Sequence, residues 1–318
     1  MTARARQAER CPTAATVLFC LAAISTVFGS RDATADDSPP PEPPALAPPR
    51  APPPLLWEPG WKSFGAGDYV LTGLSVGIAI AGASVTPLPH HLQGGVLFDD
   101  AVRNALEIRP TNIGARYVAR DTSDVLLSLA ATSPFFFDAM FTAWYQRRSP
   151  EIAEQMALID AEAFAIAAAA QEVTTALTSR ERPYVGDCGG ALPSTTIDCT
   201  NPGRYRSFFS GHATLSFTAA GLTCEHHLTL GLLGGAEDAL VCAGALVLAA
   251  TTATLRVASD QHYASDVIAG ALVGTAIGLG VPALHYSGGR PREPARTGWL
   301  EVHLVPTGLG ATVIGVFR

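Results

Sequence analysis

Six apolar segments, residues 69–86, 125–144, 157–177, 213–223, 239–255 and 267–284, constrain the fold of this chain more than any other feature. Runs of this length, rich in Ala, Gly and Leu, read as helices that bury their apolar faces against one another. The 318 residues could hold two average domains, but every apolar segment is needed for a single core. The expectation is an all-α fold, a six-helix bundle. Several segments are shorter than the roughly 20 residues that a bilayer span prefers, and mid-helix charge is expensive in lipid. Asp138, Asp160, Glu162 and Glu172 are such charges. Two readings stay open: a membrane-embedded bundle whose charges face inward, or a compact soluble one. The mean hydropathy of +0.23 favours the membrane.

Gly270, Gly274 and Gly278 recur every four residues, which places them on one face of the last helix. Small residues at that spacing let a neighbouring backbone approach closely. At the other end of the chain, Arg4, Arg6 and Arg10 precede an apolar stretch, and Ala33, Thr34 and Ala35 offer a small-residue cleavage site. Residues 1–35 therefore read as an export signal and 36–65 as a proline-rich linker. A helical domain over 66–287 follows, then a tail over 288–318. Alternating β-branched residues on either side of Gly308 and Gly310 predict a short β-hairpin in that tail. The net charge of −7, without basic runs beyond the extreme N-terminus, argues against a nucleic-acid partner.

The chemistry is concentrated in three short segments. In the first, Arg256, His262 and Asp266 stand close together. Residues four apart share a helical face, so an Nδ1–H to carboxylate bond from His262 to Asp266 would leave Nε2 as an outward acceptor. Arg256 adds a planar, permanently charged fork suited to phosphate. In the second, Ser210 is a natural N-cap and Gly211 lets the backbone approach a ligand. Free N–H groups at that helix start favour an anion. His212, in the first turn, could pass a proton to a leaving group. In the third, Arg180 and Arg182 precede Pro183, which ends the preceding helix.

Together these segments resemble the signature of the type 2 phosphatidic acid phosphatase and vanadium haloperoxidase superfamily, over roughly residues 98–284. That signature is Lys-x6-Arg-Pro, then Pro-Ser-Gly-His, then Ser-Arg-x5-His-x3-Asp. This chain has Thr175, Arg182 and Pro183 in the first motif, Phe209, Ser210, Gly211 and His212 in the second, and Leu255, Arg256, His262 and Asp266 in the third. The lysine position is thus Thr175, and Arg180 is the group that could take over its charge. Phe209 and Leu255 replace a proline and a serine.

The resemblance implies that His262 attacks phosphorus and carries a phosphohistidine, with Asp266 holding its tautomer. His212 protonates the leaving oxygen and later activates water, while Arg182, Arg256, Ser210 and Gly211 hold the equatorial oxygens. It implies a phosphomonoester or pyrophosphate substrate, a lipid phosphate or a small soluble ester, hydrolysed without a metal or cofactor. Vanadate would act as an inhibitor, or as the cofactor of a haloperoxidase. A non-catalytic envelope protein that retains the bundle is a further reading. The expected location is the inner membrane with the site facing the periplasm, or else the periplasm itself.

Removal of the export signal takes Cys11 and Cys20 with it and leaves Cys188, Cys199, Cys224 and Cys242. Cys188 and Cys199 flank a Gly-, Pro- and Ser-rich loop between the first two motifs and are expected to pair in an oxidising compartment. Cys224 and Cys242 are placed to pair across antiparallel helices, or to stay free if they lie near a reducing face. His226 and His227 are expected in a loop, because adjacent side chains on a helix point apart. His90 and His91 read as loop residues as well, and the aromatic run at Phe135, Phe136 and Phe137 as core or lipid-facing.

Overall fold

The computed structural model of the chain describes residues 53–88, 92–288, 300–307 and 310–317. The export signal, the linker as far as residue 52, and His90 and His91 lie outside the described residues.

The chain forms α1 (Ala66–Ser84), α2 (Asp99–Leu106), α3 (Ile113–Ser133), α4 (Pro150–Thr178), α5 (Ile197–Thr200), α6 (Gly211–Leu230), α7 (Ala236–Ala258) and α8 (Ala264–Tyr286). Eight α-helices among the described residues replace the expected six. The six apolar segments fall in α1, α3, α4, α6, α7 and α8. The two additions, α2 and α5, are short and carry charge, so no apolar run announces them. At Pro134 the third segment changes from α to π geometry, and the π-helix Pro134–Gln146 continues it. Strands β1 (Leu300–Thr307) and β2 (Gly310–Phe317) pair antiparallel with each other.

Helix α6 occupies the middle of the bundle, with α3, α4, α7 and α8 packed around it. Two of its buried hydroxyls are satisfied within the helix: Thr214 donates to the Ser210 carbonyl and Thr218 to the Thr214 carbonyl, each at 2.8 Å. Helix α8 lies against it on the glycine stripe. A Cβ at Gly270 would stand 2.7 Å from the Ser210 carbonyl oxygen, and Cβ atoms at Gly274 and Gly278 would collide with the Thr214 and Thr218 carbonyls. This close approach brings the starts of α6 and α8 together, where the Ser210 amide donates to the Asp266 carbonyl at 3.1 Å.

Four helical stretches among the described residues are long and apolar enough to cross a membrane: Ala66–Ser84, Ile113–Gln146, Ala236–Ala258 and Ala264–Tyr286. Leu74, Val125, Val247 and Leu272 on them are exposed. Asp138, Asp160 and Glu162 do face inward, whereas Glu172 is partly exposed and pairs with Arg206 at 2.6 Å. Asp160 lies 2.8 Å from Nε2 of His226, Glu162 3.2 Å from Nε2 of His285, and Asp138 accepts from Thr223 at 2.9 Å. His226 and His227 are therefore not loop residues. They sit buried on α6, where the 100° between neighbours turns His226 toward Asp160 on α4. The same turn sets His227 between Asp138 and Asp238.

The apolar core gathers at this end of the bundle around Ile152, Met156, Ile159, Leu222 and Leu232. Leu55 and Phe64, within the stretch read as linker, are buried in it. Both cysteine pairs are bonded, Cys188 to Cys199 and Cys224 to Cys242. The second pair, for which pairing across antiparallel helices and staying free were both open, is bonded because α6 and α7 are packed neighbours with these Cα atoms 4.4 Å apart.

Candidate active site

Three helix ends meet at the end of the bundle away from that core. Helix α4 stops at Ser179, whose φ of 43° is left-handed, and the chain turns out through Arg180 and Arg182 to Pro183. Helix α6 starts at Ser210, whose hydroxyl accepts from the Ala213 amide at 3.4 Å. The N–H groups of Gly211 and His212 belong to a first turn that has no intrahelical acceptors. A Cβ at Gly211 would stand 3.2 Å from the side-chain amide carbon of Gln171, so a larger residue here would press on that side chain. Helix α7 ends just after Arg256, and a tight turn through Asp260 delivers Gln261 and His262 to the start of α8.

Arg182 and Arg256 are drawn together by one amide. Oε1 of Gln261 accepts from Arg182 at 2.7 Å and lies 3.5 Å from Arg256. Each guanidinium keeps a buried Nε–H without a partner. Unpaired buried donors cost of order 1–3 kcal/mol each, so these two groups are held ready for an acceptor that the protein does not itself supply.

His262 is 3% exposed, and its Nδ1 lies 2.8 Å from the Ser207 carbonyl. This corrects the sequence reading, which gave that nitrogen to Asp266. The Asp266 carboxylate stands 3.8 Å away, beyond hydrogen-bond reach. It accepts instead from Arg180 at 2.5 Å, from the Ser207 hydroxyl at 2.6 Å and from the Tyr263 amide at 2.9 Å. Spacing of four fails as a guide because His262 precedes the helix rather than lying in it. With Nδ1–H committed to a carbonyl, Nε2 carries the lone pair. Burial pushes the His262 imidazole down to about 3 against the pull of Asp266, and Arg182 and Arg256 push the same way.

Arg180 is likewise not where a replacement for lysine would stand. It is 4% exposed and committed to Asp266, Ser265, Asp99 at 2.8 Å and the Gly94 carbonyl at 3.0 Å. Thr175 is fully buried, and its hydroxyl bonds to the Gln171 and Glu172 carbonyls of its own helix. Neither offers a free donor.

Two further residues enter the site without any local motif, Gln261 and Asp124. Asp124 projects from the middle of α3, and its Oδ1 lies 2.9 Å from Arg256 and 2.6 Å from Nε2 of His212. Burial and Arg256 hold the His212 imidazole well below its usual range, against Asp124. A neutral imidazole facing a carboxylate must carry its proton on the nitrogen between them, here Nε2. Nothing near Asp124 in the sequence marks it, because its partners are 88 and 132 residues away.

Residues 157–289 match the model of the PAP2 superfamily. That stretch holds α6, α7, α8 and most of α4, with all three motif segments, and the match supports the superfamily. Members of that superfamily are generally phosphatases, which supports a phosphoric ester hydrolase in general terms. Asp124 and Asp99 lie outside the PAP2 stretch. No curated protein and no solved structure matches the chain.

Proposed function

We propose that this protein hydrolyses a phosphomonoester or pyrophosphate through a phosphohistidine at His262. The observation that carries the reading is the pair of guanidinium groups of Arg182 and Arg256, each with a buried, unpartnered Nε–H, beside an imidazole whose Nδ1 is held by a carbonyl. In this reading His262 Nε2 attacks phosphorus and the P–O bond to the leaving group breaks. His212, as the imidazolium that the bound phosphoryl charge favours, gives the leaving oxygen its Nε2 proton and, neutral again, takes one from the water that releases phosphate from His262. Arg182, Arg256 and the first-turn amides of Gly211 and His212 hold the equatorial oxygens in a preorganised site capped by Ser210. Asp266 acts through Ser207 and Arg180, fixing the loop that orients His262. No metal or cofactor is called for, and vanadate should compete with substrate.

The disulfide between Cys188 and Cys199 at the same end supports an oxidising compartment for the site. The four apolar stretches support an inner-membrane bundle opening to the periplasm. On this reading 1–35 is removed on export and 66–287 is the catalytic domain. The non-catalytic reading has one observation in its favour, the absence of a free donor at Thr175.

The test is release of inorganic phosphate from p-nitrophenyl phosphate and from phosphatidic acid, in detergent with EDTA, by wild type and His262→Ala. Wild-type release, with a loss of roughly 10³-fold or more in the variant, is expected for removal of a nucleophile. Equal release by both would sink the phosphohistidine, and none from either would leave the non-catalytic bundle. Halide oxidation that depends on added vanadate would instead establish a haloperoxidase.

A further inference from the structure

The carboxylate of Asp124 occupies the position that the proposed chemistry reserves for an anion. A single oxygen, Oδ1, lies 2.9 Å from Arg256 and 2.6 Å from His212 Nε2. These are the two groups given above to a phosphoryl oxygen and to the leaving oxygen. No substrate can use both while Asp124 holds them.

Asp124 is built to let go. Its side chain is 51% exposed, whereas that of Arg256 is 4% exposed and is held by Ser123 at 3.1 Å as well. An aspartate on a helix surface can turn to water by rotating one or two torsions, and water repays most of the lost interaction. Arg256 cannot follow, so it stays with its unpartnered Nε–H inside the site. His212 then faces the incoming group with its proton already on Nε2.

We propose that Asp124 is an internal anion of the site, which a phosphoryl group displaces on binding and which reoccupies Arg256 and His212 when product leaves. The proposal rests on the phosphatase reading and adds a residue that sets its affinity. Competition for the same donors weakens every phosphoryl ligand by one factor, the fraction of molecules in which Asp124 has swung away. Substrate, with a leaving group and further contacts, can absorb that factor. Orthophosphate cannot, so Asp124 favours product release.

The experiment is a calorimetric titration of orthophosphate into the full-length, detergent-solubilised protein at fixed ionic strength, for wild type, Asp124→Asn and Asp124→Glu. The asparagine keeps the shape and an acceptor oxygen but removes the charge; the glutamate keeps the charge. Asp124→Asn should bind orthophosphate about ten-fold more tightly, the scale of one half-exposed charge-assisted pair. Its product-inhibition constant should fall by the same factor, while Asp124→Glu stays near wild type. Binding that is unchanged or weaker in Asp124→Asn, with kcat reduced, would overturn the proposal and leave Asp124 as a residue that only holds Arg256 in place. The phosphatase reading would survive that result, because wild type would still bind orthophosphate and lose binding in Arg256→Gln. If no variant binds orthophosphate, both fall. Thermal melts of each variant separate loss of fold from loss of binding.

Discussion

Nδ1 of His262 lies 2.8 Å from the carbonyl oxygen of Ser207, so a backbone group on the loop before α6 orients the imidazole that precedes α8. Asp266 secures that relationship from behind, through the Ser207 hydroxyl at 2.6 Å and the Arg180 guanidinium at 2.5 Å. In Asp266→Asn, Arg180 would keep Asp99 but lose its other carboxylate inside the protein. Breaking a buried pair from one side costs about 3–5 kcal/mol. The thermal midpoint should therefore fall together with activity. A midpoint equal to wild type, with activity abolished, would return Asp266 to a direct role on the imidazole.

The pH dependence follows from His262. Its imidazole is pushed down to about 3 by burial, so it stays unprotonated as pH falls through the ordinary histidine range. The acid limb of kcat/KM, which reports the free enzyme, should lie at least one unit below the usual value of about 6.5. Phosphate release at pH 5 should retain most of the neutral rate. An acid limb near 6.5 that disappears in His212→Gln would assign the titration to His212.

His227 predicts the opposite dependence for stability. Burial opposes its charge, but Asp138 and Asp238 on either side outweigh that and raise its pKa above the ordinary value. A histidine whose folded value is raised adds stability that is full below the unfolded value of about 6.5 and is lost as pH rises through the folded value. Unfolding of the detergent-solubilised protein should thus become easier above pH 6.5. In His227→Gln that part of the slope should vanish and the low-pH midpoint should drop.

Gly274 tests the packing that joins the two halves of the site. A Cβ there would collide with the Thr214 carbonyl of α6. Gly274→Ala should cost about 1–3 kcal/mol through overpacking and push the start of α8 away from Ser210. Activity should fall further than the loss of stability explains. Gly280→Ala, where a Cβ meets nothing within 4 Å, should be neutral or slightly stabilising. Equal behaviour of the two would show that the glycine stripe does not set the helix spacing.

Much of this architecture was legible in the chain. The six apolar segments marked the long helices, the glycines at 270, 274 and 278 marked a face of close approach, and Cys188 with Cys199 marked a stapled loop. Ser210 as N-cap and the break at Pro183 followed from local stereochemistry, which acts over a few residues and so can be read from them. What escaped was contact. His226 and His227 were indistinguishable from loop residues until α4, α7 and the π-helix supplied their carboxylates. The short polar α2 left no apolar signal, yet it contributes Asp99 to Arg180.

By itself the sequence determined which residue types stand at the three helix ends, an imidazole pair and two guanidinium groups beside a free first turn. It also determined that the chain must form a helical bundle to bury its apolar faces. Only the tertiary structure decided which atoms meet. It gave His262 to the Ser207 carbonyl rather than to Asp266, committed Arg180 away from the site, and brought Asp124 from α3 between Arg256 and His212. Helix spacing constrains neighbours within a turn or two. A bond between residues 132 apart depends on how whole helices pack, and no local pattern encodes that.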